Sequence, residues 1–351
     1  MTLNEILLKI EGPSEAARAA ATARWNGLAK PLGSLGLLED SITRIAALTG
    51  SEEVRLQTRS LLVLCADNGV VAQGVTQSDA SVTGAVARAL AAGESTVCHM
   101  AKTVCCTVVP VDMGMLNFAP TPGVWNCRAA NATADITLGP AMPRAVCLAA
   151  IETGVELVAR CKAQGVDILA TGEMGIGNTT TSSAVASLLL GQPPERVTGR
   201  GAGLSDVGLA RKRVAIQTAL AVNRPDPTDP VDVLAKVGGL DLAGLCGVFL
   251  GGALCRVPVL VDGFISAVAA LCAVRLCPKA ACAMLASHVS AEPAGALVLE
   301  ALGLSPLIHA GMRLGEGSGA VAALPLLDMA LAVYQSGQTF GRLGIEAYTP
   351  Q

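Results

Sequence analysis

Four short apolar runs rich in β-branched residues punctuate the chain: RSLLVLCAD (59–67), VCCTVVPVDMG (104–114), VDILATGEMG (166–175) and VPVLVDGF (257–264). Between them lie Ala-rich stretches with helical spacing, such as SSAVASLLL and GFISAVAALCAVRL. Strand-sized runs that alternate with helices predict an α/β fold, a doubly wound, mainly parallel, Rossmann-like sheet with crossover helices. Thr180, Thr181 and Ser182 are good N-cap residues for the first of those helices. Residues 1–50 carry no strand signal and read as two or three helices around PLGSLGLLED, and the tail SGAVAALPLLDMALAVYQ, from 318, is again helical. The expectation is a sheet domain over 51–300 and a smaller helical domain made from 1–50 and 301–351. NRPDPTDPVD, 223–232, reads as a surface turn.

Each apolar run ends in an acid and a glycine: Asp67 with Gly69, Asp112 with Gly114, Glu173 with Gly175, Asp262 with Gly263. Ligands of open α/β sheets bind outside the carboxyl ends of the strands, so four such pairs point to one site. The competing reading is that each acid caps the helix that follows it.

Composition narrows the class. Hydrophobic residues make up 52% of the 351 and aromatics only 2%, so Ala, Leu, Val and Gly must build the interior and helices can approach closely. Mean hydropathy is +0.53, yet no stretch reaches the ~18 uninterrupted apolar residues of a spanning helix. Asp241, Arg256, Asp262 and Arg275 interrupt the most apolar quarter, and Glu5 and Lys9 make the N-terminus an amphipathic helix start and not a signal peptide. A soluble, cytoplasmic protein is expected, with no membrane partner. A net charge of −3, no basic block and few aromatics argue against nucleic acid. The twelve cysteines include no Cys-x2-Cys pair, and His99, His288 and His309 are not at ligand spacing from them, so buried small hydrophobes in a reducing compartment are expected.

Four loops can carry chemistry. TGEMGIGNTTTSSA, 171–184, has the Gly172 and Gly177 spacing of a phosphate-binding loop, but Asn178 stands in place of its lysine. The final glycine of a dinucleotide fingerprint is missing too, since Asn178, Thr179 and Thr180 follow Gly175 and Gly177. What remains is a close backbone and the free N–H groups of a helix start, enough for one phosphate. TGRGAGLSD supplies Gly199, Gly201 and Gly203 and leads into Arg211, Lys212 and Arg213, of which one lysine can act as a point charge. SHVSAEPAG, 287–295, offers Ser290 and nearby amides. MRLGEGSGA, 312–320, frames Glu316 with Gly315 and Gly317, a setting that fits a general base and, as a plain turn, a surface glutamate.

These loops, with KPLGSLG (30–36), ADNGV (66–70), KVGGLDLAGLCGVFLGGA (236–253), VDGFISA (261–267) and HAGMRLGEGSGAVAALP (309–325), resemble the nicotinate-nucleotide:5,6-dimethylbenzimidazole phosphoribosyltransferases, the CobT family of cobalamin biosynthesis, over nearly the whole chain. The resemblance implies transfer of ribose 5-phosphate from nicotinate mononucleotide to a lower-ligand base, giving an α-riboside phosphate and nicotinate. The donor then has a single phosphate and needs no lysine for outer phosphates. Its leaving group is already a pyridinium, so neither Mg²⁺ nor another cofactor is expected. By the same resemblance Glu316 is the general base, Glu173 a carboxylate beside the ribose, and Gly175, Gly177, Asn178, Thr179, Gly201, Gly203, Lys212 and Ser290 line the nucleotide and its phosphate. Ser78, Val86 and Leu314 fall to the acceptor, and a dimer, of identical chains or with a similar chain, is implied.

The acceptor segment GVTQSDASVTGAVARAL departs from the family pattern, with Asp79 after Ser78 where a proline is usual and Val86 where a glutamine is. Loss of a polar group and gain of an acid can favour another benzimidazole, a purine, or a phenol such as p-cresol. A noncatalytic partner subunit is the alternative of another class, against which the intact GEG at 315–317 speaks. An NAD-dependent oxidoreductase founders on the incomplete fingerprint.

Overall fold

The computed structural model describes residues 1–348. Three helices open the chain, α1 (Leu3–Lys9), α2 (Glu15–Gly27) and α3 (Leu37–Thr49). Strand β1 (Arg59–Ala66), helices α4 (Ser81–Ala92) and α5 (Thr96–Thr103), strands β2 (Cys106–Gly114) and β3 (Trp125–Asn126) and helix α6 (Arg144–Ala163) follow. The chain continues through β4 (Ile168–Met174), α7 (Asn178–Leu190), α8 (Pro194–Val197), α9 (Asp206–Asn223), α10 (Pro230–Val237), α11 (Leu240–Cys255) and β5 (Val259–Val261). It closes with α12 (Phe264–Leu276), β6 (Met284–Ala286), α13 (Gly295–Leu302), α14 (Ser318–Tyr334) and α15 (Phe340–Leu343).

The six strands form one parallel sheet in the order β3-β2-β1-β4-β5-β6. The chain winds outward from β1 through β2 to β3, then returns to place β4 on the other side of β1. That reversal between β1 and β4 is the switch point of a doubly wound sheet, beyond whose strand ends ligands bind.

Side chains alternate across the sheet and split the core in two. Leu62, Leu64 and Leu169 pack with α1, α6, α7, α10, α11 and α12. Leu61, Val63, Cys65, Ile168 and Ala170 face a second cluster that draws Trp25, Ile42, Ile45, Leu324 and Tyr334 from α2, α3 and α14. Helices α2, α3 and α14 therefore pack on one face of the sheet and α1 on the other, and on the first the Trp25 and Tyr334 rings lie 5.0 Å apart.

The small-residue composition acts where α6 crosses α11. A Cβ on Gly154 would overlap the Gly244 carbonyl, and one on Gly247 would overlap that of Ile151. The twelve cysteines are all free thiols, eight of them buried. Among the described residues no helix is long and apolar enough to cross a membrane.

Two differences from the sequence reading concern local structure. Strand β6 is three residues long and follows a 3₁₀ turn over Pro278–Ala283, too short for an apolar run to announce. Helix α7 begins at Asn178, with Gly177 as N-cap at φ +91°, so Thr180, Thr181 and Ser182 lie inside its first turns and not at the cap. Among the described residues no side chain caps that helix; the Asn178 and Thr180 N–H groups turn instead to the Gly175 and Gly177 carbonyls at 3.0 and 2.9 Å.

Candidate functional site

Beyond the carboxyl ends of β4, β5 and β6 lies a cavity of about 280 Å³. The turn after β4 lines it with Glu173, Gly175, Gly177, Asn178 and Thr179. Gly201 and Ser290 enter from two further loops, Val86 from α4, and Leu314 and Glu316 from the segment before α14. One cavity thus gathers ten of the thirteen residues named from sequence.

The other three stand off the lining. Ser78 lies outside the cavity, its N–H on Thr76 Oγ1 at 3.3 Å. Gly203 gives its carbonyl to the amide of Gln77, so Gln77 lines the cavity instead. Lys212 is fully buried one layer behind, where its Nζ donates to Thr179 Oγ1 at 2.7 Å and lies close beneath Gly201. Burial lowers its pKa to about 8, with Glu292 opposing the shift.

Glu316 occupies an unusual backbone position. Gly315, Glu316 and Gly317 all have positive φ, +84°, +59° and +87°, a conformation glycine adopts freely and glutamate does not. Packing holds the turn there. Gly172 on β4 comes so close that an added Cβ would lie 2.6 Å from the Glu316 carbonyl carbon and 2.7 Å from the Gly317 nitrogen. The Asp262 carboxylate accepts from the Gly319 and Ala320 N–H groups at 2.8 and 3.0 Å and so fixes the start of α14. Gly172→Ala is accordingly expected to cost ~1–3 kcal/mol through overpacking and to displace Glu316. Thermal melts and turnover of the purified variant check both, and a variant with wild-type values in each would contradict this packing.

The carboxylate of Glu316 rests on the first turn of α5, where the Val97 N–H reaches Oε2 at 3.4 Å. Glu173 is 7% exposed, and its Oε1 would lie 2.7 Å from a Cβ on Gly315, so the two carboxylates share one end of the cavity. Asn178 joins Glu173 to a third acid, donating its side-chain amide to Glu173 Oε2 and, at 3.1 Å, to Asp241 Oδ2. Burial, then Asp241, raise the Glu173 pKa to about 8, and burial raises Asp241 to about 6.

The four acid–glycine pairs do not converge as expected. Glu173 and Asp262 reach the cavity, whereas Asp67 and Asp112 tie down the loop after β2. Asp67 accepts from Leu116 N–H at 2.8 Å; Asp112 accepts from Gly114 and Met115 N–H and pairs with Arg128 at 2.6 Å. Asp262 does cap a helix, but α14 and not the α12 that follows it. Asp79 also stays outside, its Oδ1 taken by the Ser81 N–H and hydroxyl. The acceptor segment therefore gains no acid in the cavity.

Sequence reading passed over Asp241, His288, Glu292, Arg200 and Arg313. His288 and Glu292 lie within the quoted SHVSAEPAG and Arg313 within MRLGEGSGA, so their loops were visible although their orientations were not. Nothing in the sequence ties Asp241 to Asn178. Among the described residues no group of three or more His, Cys, Asp or Glu side chains is arranged to hold a metal ion.

A family model described as phosphoribosyltransferase matches residues 10–345. A Ruminiclostridium cellulolyticum protein named nicotinate-nucleotide–dimethylbenzimidazole phosphoribosyltransferase is 45% identical over 350 residues, covering 100% of this chain and 99% of its own. A Geobacter metallireducens protein of the same name is 41% identical over 345 residues, 98% of each chain. The crystal structure of CobT from Thermus thermophilus aligns with a TM-score of 0.90 at 38% identity, covering 95% of this chain and 100% of that one. With its sheet order, its cavity and these matches in agreement along the whole length, the chain belongs to the nicotinate-nucleotide–dimethylbenzimidazole phosphoribosyltransferase family.

Proposed function

We propose that the protein transfers ribose 5-phosphate from nicotinate mononucleotide to a ring nitrogen of a benzimidazole-type base, releasing nicotinate in the assembly of a cobamide lower ligand. The observation that carries this reading is one cavity lined both by Glu316 and Glu173 and by the turn into α7, with Gly201 and Ser290. A helix start with close glycines suits one phosphate dianion, and Lys212 beneath Thr179 adds a point charge behind the amides.

In this reading C1′ of the ribose lies between the two glutamates. The bond from C1′ to the pyridinium nitrogen breaks with its electron pair, leaving neutral-ring nicotinate, as the acceptor nitrogen forms the new bond. Glu316 takes the proton from the acceptor's second nitrogen. Attack on the face opposite the leaving ring inverts C1′ and yields the α-riboside. The turn before α14, in the 301–351 segment assigned to the helical domain, brings Glu316 to β4 through Gly172.

A phenolic acceptor is the second reading, favoured by Val86, which gives the cavity an apolar wall where a glutamine is usual. The outward Asp79 removes the acidic half of that argument. Incubation with nicotinate mononucleotide and dimethylbenzimidazole, adenine, phenol or p-cresol, with products weighed by mass spectrometry, is expected to show the highest kcat/KM with dimethylbenzimidazole. A higher value with phenol or p-cresol would replace the acceptor assignment and keep the donor. No ribosyl product with any of the four would overturn the transferase reading itself.

A further inference from the structure

We propose that Arg313 recognises the carboxylate on the donor's pyridine ring and so selects a nicotinate over a nicotinamide nucleotide. This inference rests on the transferase reading of the same cavity.

The donor carries an anion at each end, the phosphate and the ring carboxylate. The phosphate end is served by α7 and Lys212. In that reading the ring sits at C1′, beside Glu173 and Glu316, which line the same cavity. Glu173, with its pKa raised to about 8, is neutral at pH 7, so it is the Glu316 carboxylate that suits the positive pyridinium nitrogen but repels an anionic substituent on the same ring, and a desolvated carboxylate without a cation is costly.

Two arginines line the cavity, Arg200 and Arg313. Arg200 is committed: it pairs with Asp206 and donates to the Leu204 carbonyl at 2.8 Å. No described carboxylate lies within ion-pair distance of Arg313, although it stands three residues from Glu316. Its backbone is nonetheless fixed on both sides. The Ala291 N–H holds the Met312 carbonyl at 3.0 Å, and the Ser318 N–H holds that of Gly315 at 3.0 Å. An uncommitted guanidinium on an anchored loop offers the planar two-point fork that matches a carboxylate and not an amide.

Two measurements test this. In transfer assays to dimethylbenzimidazole, Arg313→Gln is expected to raise KM for nicotinate mononucleotide by about 10–100-fold, in line with loss of a charged hydrogen-bonded pair, and to leave KM for nicotinamide mononucleotide within about twofold. Arg313→Lys is expected to recover part of the loss. Equal losses with both donors, or a preference for nicotinate that survives in Arg313→Gln, would overturn the proposal. Calorimetric titration with free nicotinate and nicotinamide needs no turnover. Wild-type protein that binds the two equally overturns the Arg313 assignment even if transfer proceeds, whereas a nicotinate preference abolished by Arg313→Gln supports it even if the acceptor assignment falls.

Discussion

Glu316→Gln is expected to lower kcat by about 10²–10⁴-fold, the usual worth of general-base help, with KM for nicotinate mononucleotide changed only a few-fold. The substitution keeps shape and removes the proton acceptor. The turn that presents residue 316 is held through its backbone, by the close approach of Gly172 and by Asp262 at the start of α14, so the fold should not register the change. Among the described residues the only hydrogen bond to the carboxylate is the long one from Val97, which Gln can still accept. Steady-state rates with dimethylbenzimidazole, beside a thermal melt of each protein, check both halves. A Gln variant that keeps turnover within about threefold of wild type would remove Glu316 from the reaction and revive the reading of a noncatalytic partner.

The second large effect is on stability and depends on pH. Glu173 is pushed to about 8 first by burial and then by Asp241, with Asp262 and Glu316 adding and Asn178 opposing. Its folded pKa lies above the ordinary 4.5, so the folded state favours the protonated form. The stabilisation tied to that proton is complete below pH ~4.5 and is lost as pH rises toward 8. At ~1.4 kcal/mol per unit, the wild-type protein gives up a few kcal/mol over this interval that a permanently neutral side chain does not. Glu173→Gln is therefore expected to be more stable than wild type, by little at pH 5 and by a few kcal/mol at pH 8, with no further gain above. Asn178 can still donate to the Gln carbonyl, so the polar chain to Asp241 survives. Urea titrations of both proteins at pH 5, 7 and 8.5 measure the difference, and a gap that stays constant or narrows with pH would show that Glu173 is ionised in the folded protein.

Much of this site was legible because strand and loop signals coincide. The runs at 59–67, 104–114, 166–175 and 257–264 are apolar with β-branched residues and close on an acid and a glycine, and each contains an observed strand. The loops that follow β4 and precede α14 meet in space because β4 lies at the centre of the sheet. What stayed hidden depends on tertiary contact. Asp262 serves α14, more than fifty residues on, and Asp241 reaches Asn178 from another helix. Local propensity favoured Thr180 to Ser182 as helix caps. Gly177, packed against Val71 and Asn68, starts α7 earlier, with no side chain as cap among the described residues, a departure from local preference of the kind expected at a functional site. Asp79 looked like a change in the acceptor pocket only because sequence does not show on which side of a helix start an acid points.

The packing of α2, α3 and α14 on one face of the sheet also has a bearing on biosynthesis. Leu61, Val63 and Cys65 leave the ribosome early, whereas α14, which covers part of their face, follows roughly 250 residues later. At ~5–20 residues per second that interval lasts on the order of tens of seconds. During it α2 and α3 can already cover part of that face, but the part under α14 stays apolar and bare and Glu316 is absent, so exposure to aggregation precedes any activity.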